Sequence, residues 1–125
     1  MTFLDLVEKQ WSDYADRHRN SNNLLIHIVA VPLLWFASFQ VLGGVFLLLL
    51  GVPGAFDMLL WAALLIGVSL FAQARGHAME SIEPAEFASP GDFARRLFSE
   101  QFINFPRFVM SGGWLKNLQG RGKGG

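Results

Sequence analysis

The longest apolar run in the chain lies at 28–50, IVAVPLLWFASFQVLGGVFLLLL, with no charge and only Ser38 and Gln40 as clearly polar side chains. A helix of that length crosses the hydrocarbon core of a bilayer. A second run, MLLWAALLIGVSLFA at 58–72, is shorter; extended back over 51–56 it reaches spanning length and takes in one charge, Asp57. Gly51, Pro53 and Gly54 sit between the runs and suit a tight turn. The pattern predicts two spanning helices folded as a hairpin. A hairpin buried inside a soluble bundle is the competing possibility, and the 23 uncharged residues of the first run disfavour it.

The flanks have a different period. Across 2–17, Phe3, Leu6, Val7, Trp11 and Tyr14 recur at three- and four-residue spacing with charges between them, the pattern of an amphipathic helix. The run Asn20-Ser21-Asn22-Asn23 then competes with helical backbone hydrogen bonds and suits an N-cap, so one helix should stop and the next start there. Pro32, without an amide proton, predicts a kink early in the first span. Pro84 and the cluster Ser89-Pro90-Gly91-Asp92 end the second helical arm. In a last helix over roughly 91–110, Phe93, Leu97, Phe102, Phe105 and Phe108 fall near one stripe that Arg95, Arg96, Glu100 and Arg107 interrupt. Packing on the bundle and lying in the membrane interface fit that stripe equally well. The expectation is a single membrane-embedded all-α domain over 1–125: an amphipathic helix at 2–17, a first span at 23–50, a second span with its motif arm at 55–82, an amphipathic helix at 91–110 and a flexible glycine-rich tail at 117–125.

Composition narrows the chemistry. Without cysteine there are no disulfides, thiolate nucleophiles or iron–sulfur clusters, and any metal must use histidine, carboxylate, amide or water. Ten basic residues balance ten acidic ones without a long basic block, which excludes the footprint of a nucleic-acid binder. Lys9, Arg17 and Arg19 precede the first span, Arg75, Arg95 and Arg96 follow the second, and the connecting turn has no basic residue. Both termini of an integral membrane protein are therefore expected in the cytoplasm. Neither apolar run reads as a cleaved signal sequence, because a charged segment precedes the first and no small-residue cleavage site follows it. Phosphate loops, nucleophile elbows and serine triads are absent.

The three histidines, His18, His27 and His77, each stand at an end of an apolar helix with a polar companion at helical spacing: Tyr14, Asn23 and Glu80 respectively. His18 and His27 are nine residues apart, which on one helix would point them about 180° apart. Only a break at Asn20–Asn23 lets both face one site. An antiparallel hairpin then brings His77 beside them. Ionisable groups at membrane depth are costly and usually functional, and neutral imidazole is the commonest transition-metal ligand. Such a donor set suits iron(II), zinc or copper, or a haem held by two histidines, and spacing does not choose among them. Glu80 is either a fourth ligand or acceptor for an imidazole proton, the reading favoured here, or a solvated carboxylate at a helix end. Asn20 and Asn23 read as caps and polar bridges that could orient substrate, and Arg75 as a topology anchor or a partner for a carboxylate.

Two motifs carry a family resemblance: Y-x3-H-x-N-x2-N-x3-H-x4-P, present as YADRHRNSNNLLIHIVAVP, and Q-x2-G-H-x2-E-x3-P-A, present as QARGHAMESIEPA. Over about residues 4–110 the chain resembles the membrane-bound 2-hydroxy fatty acid dioxygenases of fatty acid alpha-oxidation. The resemblance implies Fe(2+) as cofactor, with His18, His27 and His77 as its ligands. It also implies conversion of a 2-hydroxy fatty acid and dioxygen to the fatty acid one carbon shorter, carbon dioxide and water. The substrate supplies all four electrons, so no nucleotide co-substrate is required. The acyl tail would lie in lipid or between helices. Arg75 and Ala74 depart from the apolar and aromatic residues frequent in the family, which bears on substrate or chain-length preference. Two other classes remain open on the residues alone: a non-catalytic membrane protein with buried polar histidines, and a small haem-binding electron-transfer protein.

Overall fold

The computed structural model describes residues 1–120, and among them the chain is all-helical without strands. Helix α1 (Phe3–Ser12) starts at Thr2, whose hydroxyl accepts from the Asp5 amide while the Asp5 carboxylate accepts from the Thr2 amide. This reciprocal cap satisfies two donors that the first turn leaves free. The helix expected over 2–17 stops at Ser12, because the Ser12 hydroxyl donates to the Lys9 carbonyl and draws the chain into the turns of 13–17. Asn20 caps α2 (Ser21–Leu49) by accepting from the Asn23 amide, and α2 runs through Pro32 without interruption. The link to α3 (Ala55–His77) turns on Gly51 and Gly54, whose φ values of 72° and 86° side chains rarely adopt. Helix α3 ends at His77, so the arm at 78–82 is turn rather than helix.

The expected single helix at 91–110 is divided. Helix α4 (Pro90–Ser99), capped by Ser89, passes into a π-helical turn at Glu100–Asn104 and then into α5 (Phe105–Met110). Within the π turn the Phe105 amide bonds the Glu100 carbonyl, five residues back. The next acceptor, the Gln101 carbonyl, would need a proton from residue 106, and Pro106 has none. The Trp35 indole of α2 supplies it instead, at 2.6 Å. A further helix, α6 (Gly113–Leu118), occupies the stretch where the tail was expected to begin; residues 121–125 of that tail lie outside the described residues.

The hairpin is held by a seam of small side chains. Buried residues recur every seven positions on both helices: Asn23, Ala30, Ala37 and Gly44 on α2, and Ala55, Ala62, Ser69 and Gly76 on α3. Run antiparallel, they meet in order. Gly44 lies on the Ala55 carbonyl and the Leu59 side chain, the Ser69 hydroxyl donates to the Ala30 carbonyl at 2.6 Å, and Gly76 sits against Asn23. A Cβ on Gly76 would stand 2.2 Å from Asn23 Oδ1. A seven-residue repeat keeps one seam facing its partner along both helices, and small residues let the backbones approach.

Outside the seam the hairpin is uncovered. Phe36, Phe39, Phe46, Trp61, Leu64 and Phe71 are all more than half exposed. A soluble bundle would cover such a surface, whereas lipid is its natural solvent. Both helices are long and apolar enough to cross a membrane, with only 33% and 17% of their most apolar windows buried. Helices α1, α4, α5 and α6 gather at one end of the hairpin, where Asn117 of α6 donates to the Ala15 and His18 carbonyls and Arg95 of α4 donates to the Met1 carbonyl.

The seam generates a stability prediction. Ala62 is fully buried at its middle, so Ala62→Leu must force α2 and α3 apart and should destabilise the protein by about 1–3 kcal/mol. Exposed Val68→Leu should change stability by less than about 0.5 kcal/mol. Unfolding in detergent measures both; equal stabilities would mean that the helices do not pack along this line.

Candidate metal centre

His18 leaves the turn that follows α1, His27 lies near the start of α2 and His77 ends α3, and the three rings meet with centroids 4.7–5.2 Å apart. His27 is one turn above seam residue Asn23 and His77 directly follows seam residue Gly76, so the packing that sets the hairpin register also sets this meeting. Glu100, the first residue of the π turn, completes the group, its Oε1 standing 3.5 Å from His18 Nε2, 3.5 Å from His27 Nε2 and 3.7 Å from His77 Nε2. One donor atom from each of the four residues lies within 4.8 Å of the others.

The tautomers follow from the backbone. His18 Nδ1 lies 2.7 Å from the Tyr14 carbonyl and His27 Nδ1 lies 3.0 Å from the Asn23 carbonyl. A carbonyl only accepts, so both Nδ1 atoms carry the proton and both Nε2 atoms turn lone pairs into the cluster. His18 Nε2 is buried there without a hydrogen bond. His27 Nε2 is 3.1 Å from His77 Nε2. Lone pairs and a carboxylate oxygen converging on one point repel unless a proton or a metal cation stands between them. Donors bound at about 2.0–2.2 Å stand about 3.0–3.5 Å apart around a first-row ion. Four of the six donor separations, 3.1–3.7 Å, lie close to that range and the other two are within 4.8 Å, and the nitrogen–oxygen donor set suits such an ion chemically. They do not fit a haem, whose axial histidines face each other across a flat macrocycle.

The surroundings hold the donors still. Tyr14 stacks on His18 at 3.9 Å and donates its hydroxyl to Glu100 Oε1 at 3.3 Å. Burial, reinforced by the Glu100 charge, pushes the Tyr14 phenol well above its ordinary range, so it stays a donor. Burial also pushes the Glu100 carboxyl up, but the three imidazoles against it, when they carry protons on Nε2, outweigh burial and hold the group well below the usual carboxylate range. A metal cation held by the same Nε2 atoms would replace those protons and favour the carboxylate in the same way. Next to Glu100, Gln101 exchanges two amide hydrogen bonds with Gln73 of α3, at 2.6 and 3.0 Å, and Gln73 also donates to Ser69. Asn104 ties the same turn to α1 through the Val7 carbonyl and the Gln10 side chain.

The other expected site residues lie one step away or further. Asn23 is fully buried and donates to Glu80 at 2.6 Å, while its carbonyl rather than its amide meets His27. Glu80 bonds no histidine; it accepts from the backbone amides of Arg19 and Asn20 and from Asn23, closing the break between His18 and His27. Asn20 caps α2 and donates to the Met79 carbonyl. Arg75 is exposed on α3, outside the cluster. Glu100, Gln73 and Gln101 were missed. The available signal was a carboxylate inside the apolar stripe of the last amphipathic segment, one turn beyond Leu97 and two beyond Phe93.

A cleft of about 640 Å³ opens on the cluster. Tyr14, His18, His77 and Glu100 are among the residues that line it.

A family model described as 2-hydroxy-palmitic acid dioxygenase Mpo1-like matches residues 4–95, which include the three histidines but stop short of Glu100. No curated protein and no solved structure matches the chain.

The geometry predicts the metal stoichiometry of variants. Purified His77→Ala should lose the metal that the wild type retains, whereas Arg75→Ala should keep it. Elemental analysis of the two beside the wild type checks this, and equal metal in His77→Ala and the wild type would rule out the cluster as the site.

Proposed function

Because the chain belongs to the Mpo1-like family of 2-hydroxy-palmitic acid dioxygenases, we propose that it is an iron(II)-dependent dioxygenase that shortens 2-hydroxy fatty acids by one carbon. The observation that carries this reading is the convergence of three imidazole nitrogens and one carboxylate oxygen at the end of an apolar-walled cleft. His18, His27, His77 and Glu100 would hold the iron. Iron(II) held there would supply the Lewis-acid and redox chemistry that couples oxidation of the hydroxy acid to reduction of dioxygen. The balance is RCH(OH)COOH + O2 → RCOOH + CO2 + H2O, in which the two carbons of the substrate head give up four electrons and dioxygen takes them.

The chain's own residues have distinct tasks. The Tyr14 and Asn23 carbonyls orient two imidazoles through Nδ1, and the Tyr14 hydroxyl holds Glu100 in line. Asn20, Asn23 and Glu80 keep the break between His18 and His27 closed, so both rings face one point. The buried rings of Phe105 and Phe108, against His27 and His18, exclude water from the side away from the cleft. Arg75 has no catalytic task in this scheme and serves, with the other basic residues at this end of the hairpin, to hold both termini in the cytoplasm. The site would then lie at the cytoplasmic face of a bilayer, where an amphiphilic substrate concentrates.

Iron-loaded protein given 2-hydroxypalmitic acid in an oxygen electrode should consume one dioxygen per carbon dioxide released. Palmitic acid, which lacks the hydroxyl, should give no uptake. Absence of uptake by fully loaded protein with 2-hydroxy acids across the long-chain range would refute the reading. Glu100→Gln should lower iron affinity by at least the roughly 10–100-fold that loss of a residue merely supporting a ligand costs, read by competition with a chelator.

A further inference from the structure

Three helices wall the cleft, each with one stripe of side chains. Leu6, Lys9 and Gln10 come from α1 and Asp13 from its C-cap, Leu70, Gln73, Ala74 and His77 from α3, and Phe93, Leu97, Glu100 and Gln101 from α4 and the π turn. Every stripe follows helical spacing, so each presents one face to the same space. The space exists because α4 packs on α1, and the π turn on α1 and α2, while α3 packs chiefly on α2. Between α3 and the π turn the buried link is the Gln73–Gln101 amide pair.

The roof is the segment 82–88, which begins within the end of the second motif. It is tied down from both sides: Arg96 donates to the Ala85 and Glu86 carbonyls and lies 4.3 Å from the Phe87 ring, while Arg17 donates to the Glu83 carbonyl. Phe87 packs edge-on against Phe93 at 4.9 Å. From His77 to Leu70 the α3 wall rises about 10 Å into the hairpin and turns from an imidazole to hydrocarbon. The opposite wall makes the same change, from Glu100 to Leu97 and Phe93.

We propose that this cleft, and not the lipid-facing surface of α2 and α3, holds the acyl chain of the substrate, with Ala74 as the residue that admits it. The inference rests on the dioxygenase reading for the identity of the head group. The cleft matches a 2-hydroxy acid end to end: a chelating head at the donor cluster and an apolar chain beyond it. Its volume falls within the range of about 300–1,000 Å³ common to ligand sites. Ala74 has the smallest side chain on the α3 stripe and stands one turn from His77, so a large residue there closes the path where the chain leaves the metal.

The test uses full-length, metal-loaded protein in detergent and a long-chain 2-hydroxy fatty acid with a photoactivatable diazirine in mid-chain. After irradiation, mass spectrometry should find label on peptides carrying Leu70, Ala74, Phe93 and Leu97. Ala74→Trp should lower that labelling about tenfold or more at unchanged metal content. Label confined to the outward positions Phe36, Phe39 and Leu64, and indifferent to Ala74→Trp, would overturn the proposal. If Ala74→Trp fails to load metal, Phe93→Trp blocks the same path from the exposed opposite wall and is read by the same criterion. Labelling needs no turnover, so a labelled cleft without oxygen uptake would count against the dioxygenase reading and leave the chain-binding assignment standing.

Discussion

Close packing of α2 on α3 along small side chains is the constraint from which the site follows. A hairpin with bulky residues at these positions could not bring its backbones near enough for the Ser69 hydroxyl to reach the Ala30 carbonyl or for Gly76 to lie on Asn23. Because the contacts recur every seven residues, they fix rotation and register together. A slip of one residue would turn His77 away from His27. The 3.1 Å separation of the two Nε2 atoms is therefore a consequence of packing that extends the length of the hairpin.

The second requirement is to place charge and dipoles at the end of an apolar hairpin without leaving them unpaired. Most are paired through the backbone. Two histidine Nδ1 atoms use carbonyls of their own chain segment, Glu80 neutralises amides at the start of α2, and the Trp35 indole fills the gap left by Pro106. The π turn belongs to this economy of partners: its extra width turns Glu100 to the imidazoles while Gln101, Asn104 and Phe105 remain buried. What is left over is the inward set of lone pairs, and a cation is the partner with the right chemistry.

The sequence made some of this legible and hid the rest for definable reasons. Span length and amphipathic period are local properties, so the two apolar helices, the Asn20 cap and the Gly51–Gly54 turn could be read directly. The meeting of His18, His27 and His77 needed only hairpin topology and one break. The small-residue seam was present as a seven-residue repeat, yet Ala37 and Ala62 sit among larger apolar residues and do not stand out in an uncharged run. Glu100 depends on how α4 returns to the hairpin, a non-local fact, and its charge read as an interruption of an apolar stripe. Glu80 was placed near the metal by its spacing from His77, but α3 ends at that histidine, and the chain turns Glu80 back to the Asn20 cap.

The central claim is that three imidazoles and one carboxylate surround a single iron. X-ray absorption at the iron edge of full-length protein, purified in detergent with iron(II), tests it most directly. The account predicts only nitrogen and oxygen scatterers at about 2.0–2.2 Å, with the outer-shell signature of three imidazoles that falls to two in His27→Gln. A porphyrin pattern, or a spectrum with no imidazole contribution and no change in His27→Gln, would contradict it.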